Sequence, residues 1–380
     1  MLDPQVIYLN HGSFGACPRP VFETYQAWQQ KLERQPVEFL GRRASDLFAQ
    51  ARRELASYLN VEAENIVFFP NPTTAINMVA RSLDLNPGDE ILATNHEYGA
   101  MDRTWRFIAR RNGASYVQIP INLPVTEPQE VIERFWSGVN ERTRLIFISH
   151  ITSPTALIFP IQEICRRARQ AGLLTIIDGA HAPGQIAVDL AALEADLYTG
   201  ACHKWMMAPK GGAFLYAQPA VQQWLAPLVV SWGYESDHPS NSQFIDYHEW
   251  QGTRDLAAFL SVPAAIDFQR RYEWESVRQA CYNLAVSAQE QLTSRLGLQP
   301  ICPPAGLPSI ASHTWYRQMF AMRLPLETDL EILKTRLYDE FKIEIPTIAW
   351  NREKLIRVSI QGYNSQEDID CLVDALCKLL

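Results

Sequence analysis

Between residues 60 and 217, short apolar runs alternate with longer helical patterns, and no other feature constrains the fold more tightly. The runs are NIVFFP (65–70), EILAT (90–94), SYVQIPI (115–121), RLIFISHI (144–151), LLTIID (173–178), DLYTG (196–200) and GAFLYA (212–217). Several are continuously apolar rather than alternating, as a sheet covered on both faces requires. Helical periodicity fills the intervals at 72–83, 98–112, 127–137 and 160–171. Repeated strand–helix alternation predicts parallel β-α-β units, hence an α/β fold with a mostly parallel, doubly wound sheet.

The remainder reads differently. Residues 218–260 are rich in Trp, His, Ser and Gly and read as irregular connections, and one long helix is expected over 262–296. From residue 316 the order is strand (QMFAMRLP), helix, strand (IEIPT), strand (LIRVSI) and helix (SQEDIDCLVDALCKLL), a smaller α+β unit. A chain of 380 residues exceeds one simple core. The expected division is a large domain over 20–260 and a small domain made of 261–380 with the N-terminal segment 1–19.

Charge and cysteine usage narrow the class. A net charge of −8 argues against a general nucleic-acid binder, which needs a basic surface. No apolar run is long enough to span a membrane, and MLDPQVIYLNHGS lacks the pattern of a signal peptide. Seven scattered cysteines without a C-x-x-C pair favour a reducing cytoplasm over a disulfide framework or zinc ribbon.

Ligands of a parallel sheet collect at the carboxyl ends of its strands. Asp178 closes LLTIID, Ser149-His150 close RLIFISH, and Thr94-Asn95-His96 close EILAT. In NPTTAIN, Asn71 is a helix N-cap, Pro72 suits the first helical position, and Thr73 and Thr74 add hydroxyls beside free N–H groups, an arrangement suited to phosphate. There is no G-x-x-x-x-G-K-[ST] and no G-x-G-x-x-G after a strand, so nucleotide and dinucleotide readings lose support. No G-x-S-x-G occurs, and adjacent Cys202-His203 lacks structural zinc spacing, so neither a serine hydrolase nor a metal site is expected.

In TGACHKWMMAPKG, Lys204 follows a strand end among small and apolar residues. Desolvation there exposes a neutral amine to an aldehyde. A phosphate cradle, a buried acid and such a lysine are together the requirements of pyridoxal 5′-phosphate. Lys210 precedes a glycine turn and is expected to shape that turn or face solvent.

The motifs YLNHGSFGACPRPV, NPTTAIN, HEYGA, SHITSPTALIFP, DGAHAPG, TGACHKWMMAPKG, WQGTRD and LIRVSIQGYNSQEDID occur in this order almost end to end. In them the chain resembles the class V, fold-type I pyridoxal-phosphate enzymes, and within these the isopenicillin N epimerase-like branch. The resemblance implies that Lys204 forms a Schiff base with the cofactor and moves protons at the substrate α-carbon. It implies that Asp178 pairs with the pyridinium nitrogen and that His181 bonds the phenolic oxygen. Tyr98 falls at the ring-stacking position, with His96 as a nearby competitor. Thr73, Thr74, Ser153, His203 and Thr199 join the cofactor site, and Thr253 resembles a phosphate ligand donated by the partner of a homodimer. Arg357 would bind the substrate carboxylate, with Asn10 and His11 near the mouth.

One departure matters for chemistry. Cysteine desulfurases carry a nucleophilic cysteine on a late loop, and residues 303–370 contain none. The expected function is therefore epimerase-like chemistry at the α-carbon of an amino acid, with cysteine or cystine C–S lyase as the alternative. A binding scaffold without activity is the non-enzyme alternative; it would be expected to have shed the lysine or the aspartate, and both are present.

Overall fold

The computed structural model describes residues 1–304 and 314–380. Twelve strands occur in the described residues: β1 Ile7–Tyr8, β2 Ile66–Phe69, β3 Glu90–Thr94, β4 Ser115–Ile119, β5 Thr143–Ser149, β6 Leu174–Asp178, β7 Leu197–Ala201, β8 Ala213–Ala217, β9 Met319–Arg323, β10 Ile343–Glu344, β11 Thr347–Trp350 and β12 Glu353–Ser359.

Strands β2 to β8 form one seven-stranded sheet in the order β2-β8-β7-β6-β5-β3-β4. Strand β8 runs antiparallel to both its neighbours. The other pairings are parallel. The continuous apolar runs have the expected physical origin. Along β5, Ile146 and Ile148 join one hydrophobic cluster while Leu145 and Phe147 join another. Each face of the sheet thus has its own core, so both sets of alternating side chains must be apolar.

Strand order reverses between β3 and β5, because β4 lies on the far side of β3. That reversal opens a crevice at the carboxyl ends of the strands. Helix Pro72–Ser82 begins at this end, with the Asn71 side chain accepting from the Thr74 N–H. A left-handed Gly113 closes helix Gly99–Asn112 and allows the chain to re-enter the sheet at β4.

The C-terminal part carries an antiparallel sheet in the order β11-β12-β9. The N-terminal segment hydrogen-bonds into the same region. Strand β1 pairs in parallel with β10, and the Ser359 N–H donates to Leu9 O at 2.9 Å. This pairing carries Ser13 and Phe14 to the rim of the crevice from one side, while β12 delivers Arg357 from behind.

Three regions differ from the sequence expectation, the first being 218–260, which holds the helices Pro219–Gln222, Gln243–Glu249 and Ala257–Leu260 among its irregular connections. The helix expected over 262–296 is two helices, Val262–Arg271 and Trp274–Leu296. Glu273 between them is left-handed, with φ 48°. The IEIPT run is divided between β10 and β11, and the Pro346 carbonyl between them accepts from the Arg357 N–H at 3.1 Å.

Gly15 fixes how closely the N-terminal segment approaches the crevice. It has φ +71°, and a Cβ built on it would lie 2.1 Å from the His203 carbonyl oxygen and 3.0 Å from Lys204 Cα. Gly15→Ala should therefore destabilise the fold by roughly 1–3 kcal/mol. Urea denaturation checks this, and an unchanged midpoint would contradict the close docking.

Candidate active site

A cleft lies at the carboxyl ends of β5 and β6, and Lys204, Asp178, His181, His203, Thr73 and Tyr98 are among its walls.

Lys204 stands on a tight turn that follows β7. The Met207 N–H donates to the Lys204 carbonyl at 2.9 Å, and the Ala208 N–H donates to Cys202 O at 2.9 Å. Met207 accepts φ +64° to close the turn. From this turn the Lys204 side chain reaches into the cleft, where Nζ lies 3.1 Å from His181 Nε2. Desolvation, then the positive charge of Arg357, lowers the Lys204 ammonium to about 8, while Asp178 opposes the shift. A lysine so placed holds an appreciable fraction of neutral amine near neutrality.

Asp178 ends β6, in register with Ser149 of β5 and Thr199 of β7. Its Oδ1 accepts from the Ala180 N–H at 2.9 Å. Burial raises its pKa, whereas the Ala180 bond and the charge of Lys204 lower it. A buried carboxylate facing a cleft is suited to holding a proton on a cationic ring nitrogen.

Tyr98, at the N-cap position of helix Gly99–Asn112, also lines the cleft and is 48% exposed. Phe14 on the same rim is 68% exposed. Thr73 lines the cleft in the first turn of helix Pro72–Ser82. His203 joins it with Nδ1 3.0 Å from Gly212 O. A carbonyl only accepts, so Nδ1 carries the proton and Nε2 is left free for the cleft. Burial lowers His203 to about 4, so a second proton enters Nε2 only beside an anion.

Arg357 is buried and donates to Ser153 O and, at 3.1 Å, to Ser13 Oγ. Both acceptors are neutral, and its buried Nε has no partner among the described residues. Burial lowers its pKa to about 10. A buried cation held by neutral groups is stabilised by an incoming anion, and a guanidinium matches a carboxylate in two bonds.

Other residues singled out in the sequence lie elsewhere. His96 is buried behind the cleft, with Nδ1 2.7 Å from Thr155 Oγ1 and Nε2 2.8 Å from Ile121 O. Both ring nitrogens are used, and it packs against Phe159 and Trp350. Thr74 gives its N–H and its hydroxyl to Asn71 Oδ1, so its donors serve the helix cap. The Thr199 hydroxyl donates to Phe214 O at 2.7 Å. Asn10 donates to Glu344 at 2.9 Å. His11 sits beneath the lysine turn with Nε2 3.1 Å from the Lys204 carbonyl. Thr253 is exposed and is not among the residues lining the cleft of its own chain. Lys210 is exposed but not idle, since its Nζ donates to Gly15 O at 2.9 Å and secures the N-terminal segment.

Glu97 was not legible as a site residue. It bridges the strand ends at the order reversal, accepting from the hydroxyls of Thr94 on β3 and, at 2.6 Å, Ser149 on β5. Burial first, and then the charges of Asp178 and Asp102, raise Glu97 to about 8 against the two hydroxyl bonds. The acid form is therefore favoured in the folded state. Stability from this group is full below the unfolded value of 4.5 and is lost as pH rises toward 8. Glu97→Gln, which mimics the acid, should remove that slope. The stability of the wild type relative to Glu97→Gln should fall steadily between pH 5 and 8 in thermal melts; parallel curves would contradict a protonated Glu97.

Comparison with known proteins agrees with this geometry. Residues 7–325 match the family described as aminotransferase class-V. An isopenicillin N epimerase of Amycolatopsis lactamdurans is 38% identical over 391 aligned residues, covering 100% of this chain and 96% of that protein. A probable chloroplastic L-cysteine desulfhydrase of Arabidopsis thaliana is 29% identical, over 100% of this chain and 84% of that protein. Among solved structures, a complex of the cystine C–S lyase C-DES with cysteine persulfide superposes with a TM-score of 0.87 at 22% identity, covering 99% of this chain and 98% of that one. The chain belongs to the aminotransferase class-V family and has its fold-type I architecture. It is an enzyme of the pyridoxal-phosphate-dependent kind.

Proposed function

We propose that this enzyme moves a proton at the α-carbon of an amino acid and that its reaction is epimerisation, as in its isopenicillin N epimerase relatives. The observation that carries the reading is a lysine of lowered pKa and a buried aspartate lining one cleft, with the buried Arg357, whose charge acts on that lysine, hydrogen-bonded to the cleft residues Ser13 and Ser153. The residues fit pyridoxal phosphate: Lys204 would hold its aldehyde carbon, Asp178 its ring nitrogen, His181 its phenolic oxygen, and Thr73 and His203 its phosphate. Bound there, the cofactor supplies an electron sink that makes the substrate α-C–H acidic.

The protein supplies placement and proton transfer. Arg357 binds the α-carboxylate and orients the substrate, and Ser13 and Ser153 hold the guanidinium for it. The Lys204 amine would remove or return the α-proton on its own side of the cleft, and inversion requires that the other transfer take place on the opposite side. Tyr98, which also lines the cleft, would stack on the cofactor ring. Exposed Phe14 and Tyr98 at the rim, together with exposed Val230 and Trp232, support closure by a second copy of the chain that would contribute Thr253 to the phosphate. The free thiols support a cytoplasmic location. A large unit over 20–260, with 1–19 and 261–380 as a smaller one, is the domain division we propose.

A second reading, cysteine or cystine C–S lyase, is favoured by the desulfhydrase relatives and by the fold likeness to C-DES. It requires no cysteine nucleophile, only loss of a β-substituent after the α-proton has left.

Incubation with a panel of amino acids in D₂O separates the two. Epimerisation gives α-deuteration with loss of chirality; a lyase releases pyruvate and a sulfur product instead. Absence of α-deuteration and of pyruvate across the panel would refute chemistry at the α-carbon. Arg357→Ala should raise the amino-acid KM roughly 10- to 100-fold with the cofactor retained, and an unchanged KM would remove Arg357 from the carboxylate site.

A further inference from the structure

We propose that Trp205 is a positioning residue that fixes the tautomer of His181 and thereby makes His181 a hydrogen-bond donor toward Lys204. The proposal deepens the reading above and rests on it for its catalytic meaning, but its geometry belongs to the protein alone.

The buried indole of Trp205 donates from Nε1 to His181 Nδ1 at 3.3 Å. Indole N–H only donates, so Nδ1 must offer a lone pair. A neutral imidazole carries one proton, which then resides on Nε2. His181 Nε2 is the atom 3.1 Å from Lys204 Nζ. Its N–H therefore points at the lysine nitrogen, and only a neutral amine has the lone pair to accept it. An ammonium at Lys204 would meet a donor with a donor. Trp205 thus favours the reactive form of the lysine through an intervening ring.

Further observations bear on the arrangement. Burial first, then the positive charges of Lys204, Arg357 and His203, lower the His181 pKa, so the ring is neutral. The charged groups acting on Lys204 itself are Arg357 and Asp178. The indole is held in place: the His11 ring packs on it at 5.0 Å, and His11 Nε2 donates to the adjoining Lys204 carbonyl at 3.1 Å. Gly184 permits close approach to the backbone that carries the indole, since a Cβ there would lie 2.3 Å from the Trp205 carbonyl carbon. Toward bound cofactor, the same fixed Nε2–H would be the donor to the phenolic oxygen.

The test uses full-length protein labelled with ¹⁵N-histidine and stripped of cofactor, with His181 assigned by its loss in His181→Gln. Long-range ¹H–¹⁵N spectra at pH 7 to 8 should show Nε2 protonated and Nδ1 bare; a protonated Nδ1 in the wild type overturns the proposal. Trp205→Phe keeps an aromatic ring but no donor. In it, the Nδ1–H form should appear, able to accept from a lysine ammonium. The pH midpoint for acylation of Lys204, followed by peptide mass spectrometry, should then rise by about one unit, the scale of one net hydrogen bond. An unchanged tautomer and midpoint in folded Trp205→Phe overturn the proposal. Should that variant not fold, the wild-type spectrum decides alone. Uptake of added pyridoxal phosphate by the stripped wild type tests the cofactor reading separately.

Discussion

The cleft depends on one constraint: a lysine amine must be kept largely out of water while remaining within reach of a carboxylate. Lys204, Arg357 and Asp178 share one poorly solvated space, so two cations face one close anion. Burial first, and then the charge of Arg357, lowers the lysine, and the buried arginine has only neutral acceptors. In the function we propose, cofactor and substrate would complete this charge pattern.

The fold serves this constraint in layers. The sheet reverses strand order between β3 and β5, and the crevice lies beside that reversal. Glu97 ties the two strand ends together through Thr94 and Ser149. The glycine-permitted turn at Gly15 then presses the N-terminal segment onto the lysine turn, where Lys210 anchors it. Residues far apart in sequence, from Ser13 to Arg357, meet because β1 pairs with β10 beside β12.

Much of this was legible in the sequence, for identifiable reasons. Continuous apolar runs report a sheet covered on both faces, and a polar residue that ends such a run falls at the ligand-bearing edge; Asp178 was found that way. Lys204 stood out because its neighbours leave no solvated face for a charge. What sequence could not supply was direction. His96, Thr74 and Thr199 have the right residue types at the right strand or helix ends, yet their hydrogen bonds point into the protein. Asn10 and His11 likewise support the cleft wall from behind. Glu97 was hidden because its function lies in two hydroxyl partners on separate strands, 3 and 52 residues away. The break at Glu273 was equally silent, since neither glycine nor proline marks it.

The central claim is that Lys204, and not its neighbour Lys210, carries the cofactor. Borohydride reduction of the holoenzyme, followed by proteolysis and peptide mass mapping, tests it most directly. The account predicts the pyridoxyl label on the peptide containing Lys204, on that residue alone. A label on Lys210 or on any other lysine would contradict it.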